Sequence, residues 1–388
     1  MSGGLDSSAI YSVAETLRRG HPERFPSLHG ISCTYEDGTP PDEKAYVAEI
    51  ERTHGVVIER LPSSPPGLLD DCTAAMWHIE APFLDAQWNN SHAFLSSVQR
   101  RGAKVLLTGT WGDQFLFNQA YLMDLVAAGA WATIASHLRA YGHWCTDVPR
   151  REFVKSFCKS LLMHHAPKRL RSSVRYVRSR RRVSRGPGWY APAFRNLVPY
   201  RTRSEEATSW GAFATSHARS LYREARSDYH VLCMEWNNKV AAMHGLEMAF
   251  PFLHRDLISF LMAIPGEVLQ RNGVPKAILR EAVRDVLPDA IADRTWKADF
   301  TAFVNEGLVR DYPRLLYLLG PDAVATRFGY SDADALCAEL AHLKGRIRGR
   351  TNVVSRKLAG LVGLELWLRV FLGGESRGTE DILYARPA

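Results

Sequence analysis

Apolar positions in the first third of the chain alternate between two periods. Ala9, Ile10, Val13 and Leu17 recur at helical spacing and predict a helix over 7–19 that stops at Gly20. Short apolar runs at 28–34, 56–58 and 104–108 read as strands, the last of them buried. Helices are predicted over 42–54, 68–78, 87–101 and from about residue 113, with the Pro-rich stretch 62–67 as a loop. Strands alternating with helices predict βαβ units and a parallel sheet. Beyond about residue 120 no strand pattern is visible, and the remainder reads as helices punctuated by Pro and Gly. The expected organisation is an α/β lobe at 1–145, a basic helical insert or linker at 146–210 and a helical lobe at 211–388.

Composition changes this picture in a few places. The chain has 388 residues, long enough for two lobes, and its net charge of +8 is concentrated. Residues 168–185 hold nine Lys or Arg and no acid; Arg171, Arg175, Arg178, Arg182 and Arg185 step along one helix face beside Leu170, Val174 and Val177. Six scattered cysteines without a CxxC pair argue against a disulfide framework or a zinc site and for a reduced, cytoplasmic protein. Glu365 and Arg369 interrupt the most apolar stretch, 358–372, so it reads as a packed helix rather than a membrane span. No membrane partner is expected.

Candidate chemistry begins at the first residues, Met1-Ser-Gly-Gly-Leu-Asp-Ser-Ser8. Gly3 and Gly4 have no side chain to block close approach, and their N–H groups precede a helix whose positive dipole end favours an anion. Ser2, Ser7 and Ser8 add hydroxyl donors. Asp6 needs a counter-charge beside phosphate, which implies Mg²⁺. The loop lacks the lysine of a P-loop and the spacing of a dinucleotide turn. It resembles the SGGxDS pyrophosphate loop of ATP pyrophosphatases, which release pyrophosphate from ATP and leave an adenylated substrate. Such a loop needs a hydrophobic strand just upstream. Met1 sits where that strand would end, so the sheet is expected to lack its first, central strand.

The turn Thr108-Gly-Thr-Trp-Gly-Asp-Gln114 follows the strand at 104–108, and loops at the carboxyl ends of parallel strands converge on ligands. Asp113 is therefore expected to be a second Mg²⁺ ligand beside Asp6. Late in the chain Lys297 lies in a charged, loop-like segment, where it could meet negative charge developing on a phosphate.

These segments resemble the synthetase domain of glutamine-hydrolysing asparagine synthases and their relatives, the β-lactam synthetases and lasso-peptide cyclases. Residues 2–8 are similar to the family's SGGLDSS and 108–115 to its SGxGxDELF turn. Asp42-Glu43 stands at an acidic pair, 246–253 resembles LExRxPFLD and 276–280 K-x-x-L-R, and Leu287-Pro288 through Phe300 resembles an LP…R…K-x-x-F block. The resemblance implies an ATP-pyrophosphatase lobe (adenine nucleotide α-hydrolase-like) with a helical C-terminal lobe. It further implies an ATP site at Met1, Ser2, Gly3, Gly4, Leu5, Asp6, Ser7 and Ser8, with Met1 and Cys33 beside adenine and Thr108 and Gly109 near the nucleotide. Asp6 and Asp113 would hold Mg²⁺ and Lys297 would be catalytic. The chain departs from the family at Thr110, where it has glutamate, at Ala249, where it has arginine, and at His254, where it has aspartate; Asn237-Asn238 also replaces an acidic position.

The expected activity is ATP-dependent amide formation through an acyl-adenylate, releasing AMP and pyrophosphate. The carboxylate is small or peptidic, and the nitrogen comes from ammonia, glutamine or an amine of the substrate. The lost charges favour a peptide or secondary metabolite over free aspartate. The glutaminase half is absent here, so an N-terminal glutaminase-like domain or a leader-peptide-binding protein is the expected partner. Two alternatives are an RNA-modifying ATP pyrophosphatase using the Arg171–Arg185 stripe, disfavoured by the late motifs, and a truncated, inactive relative.

Overall fold

The computed structural model describes residues 1–25, 27–82, 88–146, 148–165, 188–197, 213–348 and 356–372. The basic stripe at 171–185 lies outside them. The loop at the start of the chain runs into helix α1 (Leu5–Gly20), which carries Asp6 in its first turn and Arg18 and Arg19 in its last, both favourable to the helix dipole. Strand β1 (Gly30–Thr34), helix α2 (Lys44–His54) and strand β2 (Ile58–Pro62) follow. Gly55, in the left-handed region at φ 59°, ends α2. Next come α3 (Cys72–Ile79), α4 (Trp88–Arg100), β3 (Val105–Leu107) and the short α5 (Gly112–Leu116).

Helices dominate the described residues from there, with a short strand among them. Strand β4 (Glu247–Ala249) pairs in parallel with β3, Leu107 facing Ala249. Its three residues are too few to show a period of two, so the apolar pattern does not reveal it. Among the described residues the strands form two separate parallel pairs, β1–β2 and β3–β4, rather than one sheet. A cavity of about 1260 Å³ borders both pairs, lined in part by Ile31 of β1, by Val105 and Leu107 of β3, and by Ile10 and Leu17 of α1. This corrects the expectation of a buried strand at 104–108. The apolar residues of β3 are not buried, Val105 being 51% and Leu107 42% exposed, because they face this cavity. The buried face of α1 is made by Ser8, Ala9, Tyr11, Ser12 and Glu15, while Leu17 is exposed beside the same cavity.

Packing brings distant segments to the start of the chain. One cluster joins Ala9 and Tyr11 of α1, Val47 and Ile50 of α2 and Ile58 of β2 to Val283, Leu287 and Ile291. Another joins Trp111, Phe115 and Leu116 around α5 to Phe252, Leu261 and Leu269, with Ile278 and Leu279 against it. Burying side chains of this size is worth about 1.5–3 kcal/mol each. The segment 276–297 is thus clamped between the first loop and the turn at 108–113. The largest cluster mixes Ile31, Leu69 and Met76 with Trp236, Leu318 and Leu366, so early and late elements share a core.

Candidate active site

The first loop closes on itself. The Ser2 amide donates to Ser7 Oγ (3.1 Å), the Gly4 amide donates to Ser2 Oγ (3.2 Å), and the Ser2 and Ser7 hydroxyls are 3.1 Å apart. Gly3 takes φ 81°, and a side chain there would press Tyr46 and Glu43 at 3.0–3.2 Å. Ser2, Gly4, Leu5, Asp6 and Ser7 line the cavity, as do Met1, Cys33, Thr108 and Gly109. Gly3 and Ser8 do not line it. Gly3 packs on α2, and the Ser8 hydroxyl is fully buried with no hydrogen-bond partner among the described residues.

The second loop meets the first at two glycines. A Cβ on Gly109 would sit 2.5 Å from the Ser7 amide nitrogen, and one on Gly112 would sit 2.5 Å from the Asp6 carboxyl carbon. Only glycine lets the two turns touch this closely. The contact puts Asp6 and Asp113 beside one ammonium. Lys276 Nζ lies 2.7 and 2.6 Å from the two Asp6 carboxyl oxygens and 2.6 Å from Asp113 Oδ1. Lys297 donates to the other Asp113 oxygen from the solvent side. The Asp6 and Lys276 side chains are 15% and 10% exposed, whereas Lys297 is 67% exposed.

The two carboxylates differ electrically. Burial raises the Asp6 pKa, and Lys276 only partly opposes it. Burial pushes Asp113 the same way, but the charges of Lys276 and Lys297 outweigh it and hold its pKa at about 2. One ammonium serves the deeper acid; two serve the outer one.

Behind these acids Arg294 ties the late segment to the first loop. It donates to Gly3 O (3.2 Å), to Trp296 O (2.9 Å) and to the Glu43 carboxylate. Its guanidinium lies 3.7 Å from the Trp296 ring centre and 4.5 Å from that of Tyr46. Arg280, also buried, donates to the carbonyls of Pro275, Ala292 and Arg294 and so fixes the path leading to Lys297.

The sequence model of the family described as asparagine synthase matches residues 1–369. The chain belongs to the asparagine synthase family. It is 21% identical over 323 residues to asparagine synthetase [glutamine-hydrolyzing] 1 of Bacillus subtilis (strain 168), an alignment covering 76% of this chain and 44% of that protein. The chain therefore spans less than half the length of that relative. No helix among the described residues is long and apolar enough to cross a membrane.

The residues at which the sequence departs from the motifs it resembles fall unevenly in the structure. Thr110 lines the cavity, its hydroxyl 2.8 Å from that of Thr108. Ala249 lies on β4 and His254 precedes the helix Arg255–Ala263, both outside the cavity lining. Asn237 lines it, whereas Lys239 donates to Ile79 O (2.6 Å) and pairs with Glu80.

No cluster of three or more His, Cys, Asp or Glu among the described residues could hold a metal alone. Two carboxylates already gathered on a cation suit a site that takes its remaining oxygens from phosphate and water, which is how Mg²⁺ is commonly held. The residues present fit that ion. Sequence reasoning assigned no role to Lys276, Arg280 or Arg294. All three stand in the quoted motifs; the signal for Lys276 was a lysine directly after Pro275 at a helix start.

Proposed function

We propose that this chain is the synthetase part of an ATP-dependent amide-forming enzyme of the asparagine synthase type. One observation carries the reading: acids 107 residues apart, Asp6 and Asp113, face a common lysine with Lys297 at the open side. In this reading the α/β part (1–145) binds the nucleotide and the helical part (211–388) supplies the lysines. The backbone amides and hydroxyls of the cavity-lining residues Ser2, Gly4, Leu5 and Ser7 bind the pyrophosphate portion of ATP, and Met1 and Cys33 border the adenine. Asp6 and Asp113 would hold Mg²⁺, which when bound neutralises phosphate charge. Lys297 faces the α-phosphate, where charge builds as the substrate carboxylate attacks and pyrophosphate leaves. A nitrogen nucleophile (ammonia, free or released from glutamine, or an amine of the substrate) then attacks the acyl carbon. The amide C–N bond forms, the acyl–oxygen bond to AMP breaks, and the amine loses a proton. The protein's contribution is positioning and charge.

The cavity supports an acceptor larger than aspartate. Besides Thr110, its lining includes the apolar side chains of Phe117, Trp144, Val148 and Phe153. This apolar lining favours a peptide or secondary-metabolite carboxylate over a small dicarboxylic acid. The test is substrate-dependent pyrophosphate release from ATP, compared for free aspartate and for peptides bearing a side-chain carboxylate. Peptide-dependent release with little aspartate response supports the reading; release with aspartate alone contradicts the substrate assignment, and release with neither contradicts the activity.

A further inference from the structure

Lys276 is built into its place more rigidly than a chance partner of two acids would be. Its backbone sits in the left-handed region, φ 57° and ψ 33°, which few non-glycine residues occupy. The buried Gln270 side chain accepts from the Lys276 amide (3.3 Å) and donates to Leu116 O (2.7 Å), the last residue of α5. One glutamine therefore couples the backbone of Lys276 to the helix that carries Asp113. The preceding turn is equally confined, since a side chain on Gly273 would sit 2.7 Å from His137 Cα.

An ammonium has three protons, and Lys276 makes three contacts of 2.6–2.7 Å, all with oxygens of Asp6 and Asp113. Those are the two carboxylates that the proposed function gives to the metal. A divalent ion and the Lys276 ammonium cannot occupy the same position between them. Lysine is a point charge on a flexible four-carbon stem, so its head can move while the backbone stays fixed.

We propose that Lys276 is an internal counter-cation: it holds Asp6 and Asp113 together while no nucleotide is present, competes against bare divalent cations, and transfers its ammonium to a phosphate oxygen when metal and nucleotide arrive together. This inference rests on the assignment of Asp6 and Asp113 as metal ligands. It adds a consequence of unusual sign, because removing a positive charge from the site strengthens metal binding and weakens phosphate binding. Coupling then follows: phosphate draws the lysine off the carboxylates, and metal binding tightens as a result.

Mn²⁺ serves as the probe, with free ion measured by electron paramagnetic resonance on the folded chain. No substrate or turnover is required, so the outcome is separable from the fate of the amide-forming reading. Lys276→Met binds Mn²⁺ without nucleotide about tenfold or more tighter than the unsubstituted chain, within the 5–150-fold range usual for coupled sites. Pyrophosphate tightens Mn²⁺ binding strongly in the unsubstituted chain and several-fold less in Lys276→Met. Lys276→Arg retains the competition, and Lys276→Gln repeats the measurement should the Met variant not fold. Equal or weaker nucleotide-free Mn²⁺ binding in the folded neutral variants overturns the proposal, as does an unchanged effect of pyrophosphate.

Discussion

Two acid–base groups stand almost back to back in this protein and are built on opposite plans. In the first, Glu43 and Arg294 are 8% and 4% exposed, one acid to one base. The Arg294 guanidinium also bonds two carbonyls and lies against two aromatic rings. Burial raises the Glu43 pKa against the pull of Arg294, as expected of a pair removed from water. In the second, two acids crowd one buried lysine and a further lysine reaches in from solvent. The first group is saturated and almost wholly removed from solvent, although both side chains touch the cavity lining. The second opens on a cavity, and its lysines are long enough to withdraw. Similar charges thus serve as a rivet in one place and as an exchangeable set in the other.

Breaking the rivet gives the largest loss. Arg294→Ala leaves Glu43 buried without a partner and is expected to cost about 3–5 kcal/mol, read as a lower denaturation midpoint in urea. Glu43→Gln combined with Arg294→Met is expected to recover much of that loss, since neither side then holds an unpaired charge. Failure of the double variant to recover would show that the carbonyl and ring contacts, not the ion pair, carry the tie.

Breaking the exchangeable set has the reverse profile. Asp113→Asn is expected to reduce pyrophosphate release by about 10²–10³-fold. Its stability changes by less than about 1 kcal/mol, because Asp113 is 44% exposed. A large stability loss with preserved turnover would place Asp113 in the same structural class as Glu43. Gly109→Ala tests the approach of the two loops. Its Cβ collides with the Ser7 backbone, so ATP affinity measured by calorimetry falls several-fold while the helices remain formed.

A smaller effect comes from Glu15, a saturated group at the far end of α1. Hydrogen bonds from Arg18, and then Arg19, hold its pKa at about 2 although burial works the other way. Its folded value lies below its unfolded one, so the stabilisation is complete above about pH 4.5 and is lost as pH falls towards 2. Both arginines are partly in water, which limits the contribution to about 1 kcal/mol. Glu15→Gln should flatten that part of the pH–stability curve, and an unchanged curve would remove the pair from the account.

Much of this was legible in the residues. The small-residue loop, the helix after it and the strand–turn at 104–113 all showed in spacing and composition, and Asp6, Asp113 and Lys297 do come together. What was hidden has identifiable causes. Strand β4 has three residues, below any periodic signal, and its partner β3 is apolar yet exposed because both strand pairs border one cavity. The role of Lys276 depends on a left-handed backbone and on Gln270, and neither is visible in local pattern. Arg294 and Glu43 each stood in a quoted motif, but nothing local joined them; the fold brings them together across 251 residues.

The central claim is that Asp6 and Asp113 act as one unit on a metal-bound triphosphate. Calorimetric ATP binding with Mg²⁺ by Asp6→Asn, Asp113→Asn and the double variant tests it most directly. The account predicts that each single change loses at least about tenfold in Mg²⁺-dependent affinity and that the double variant loses little more than either alone. Independent, additive losses, or affinity indifferent to Mg²⁺, would contradict it.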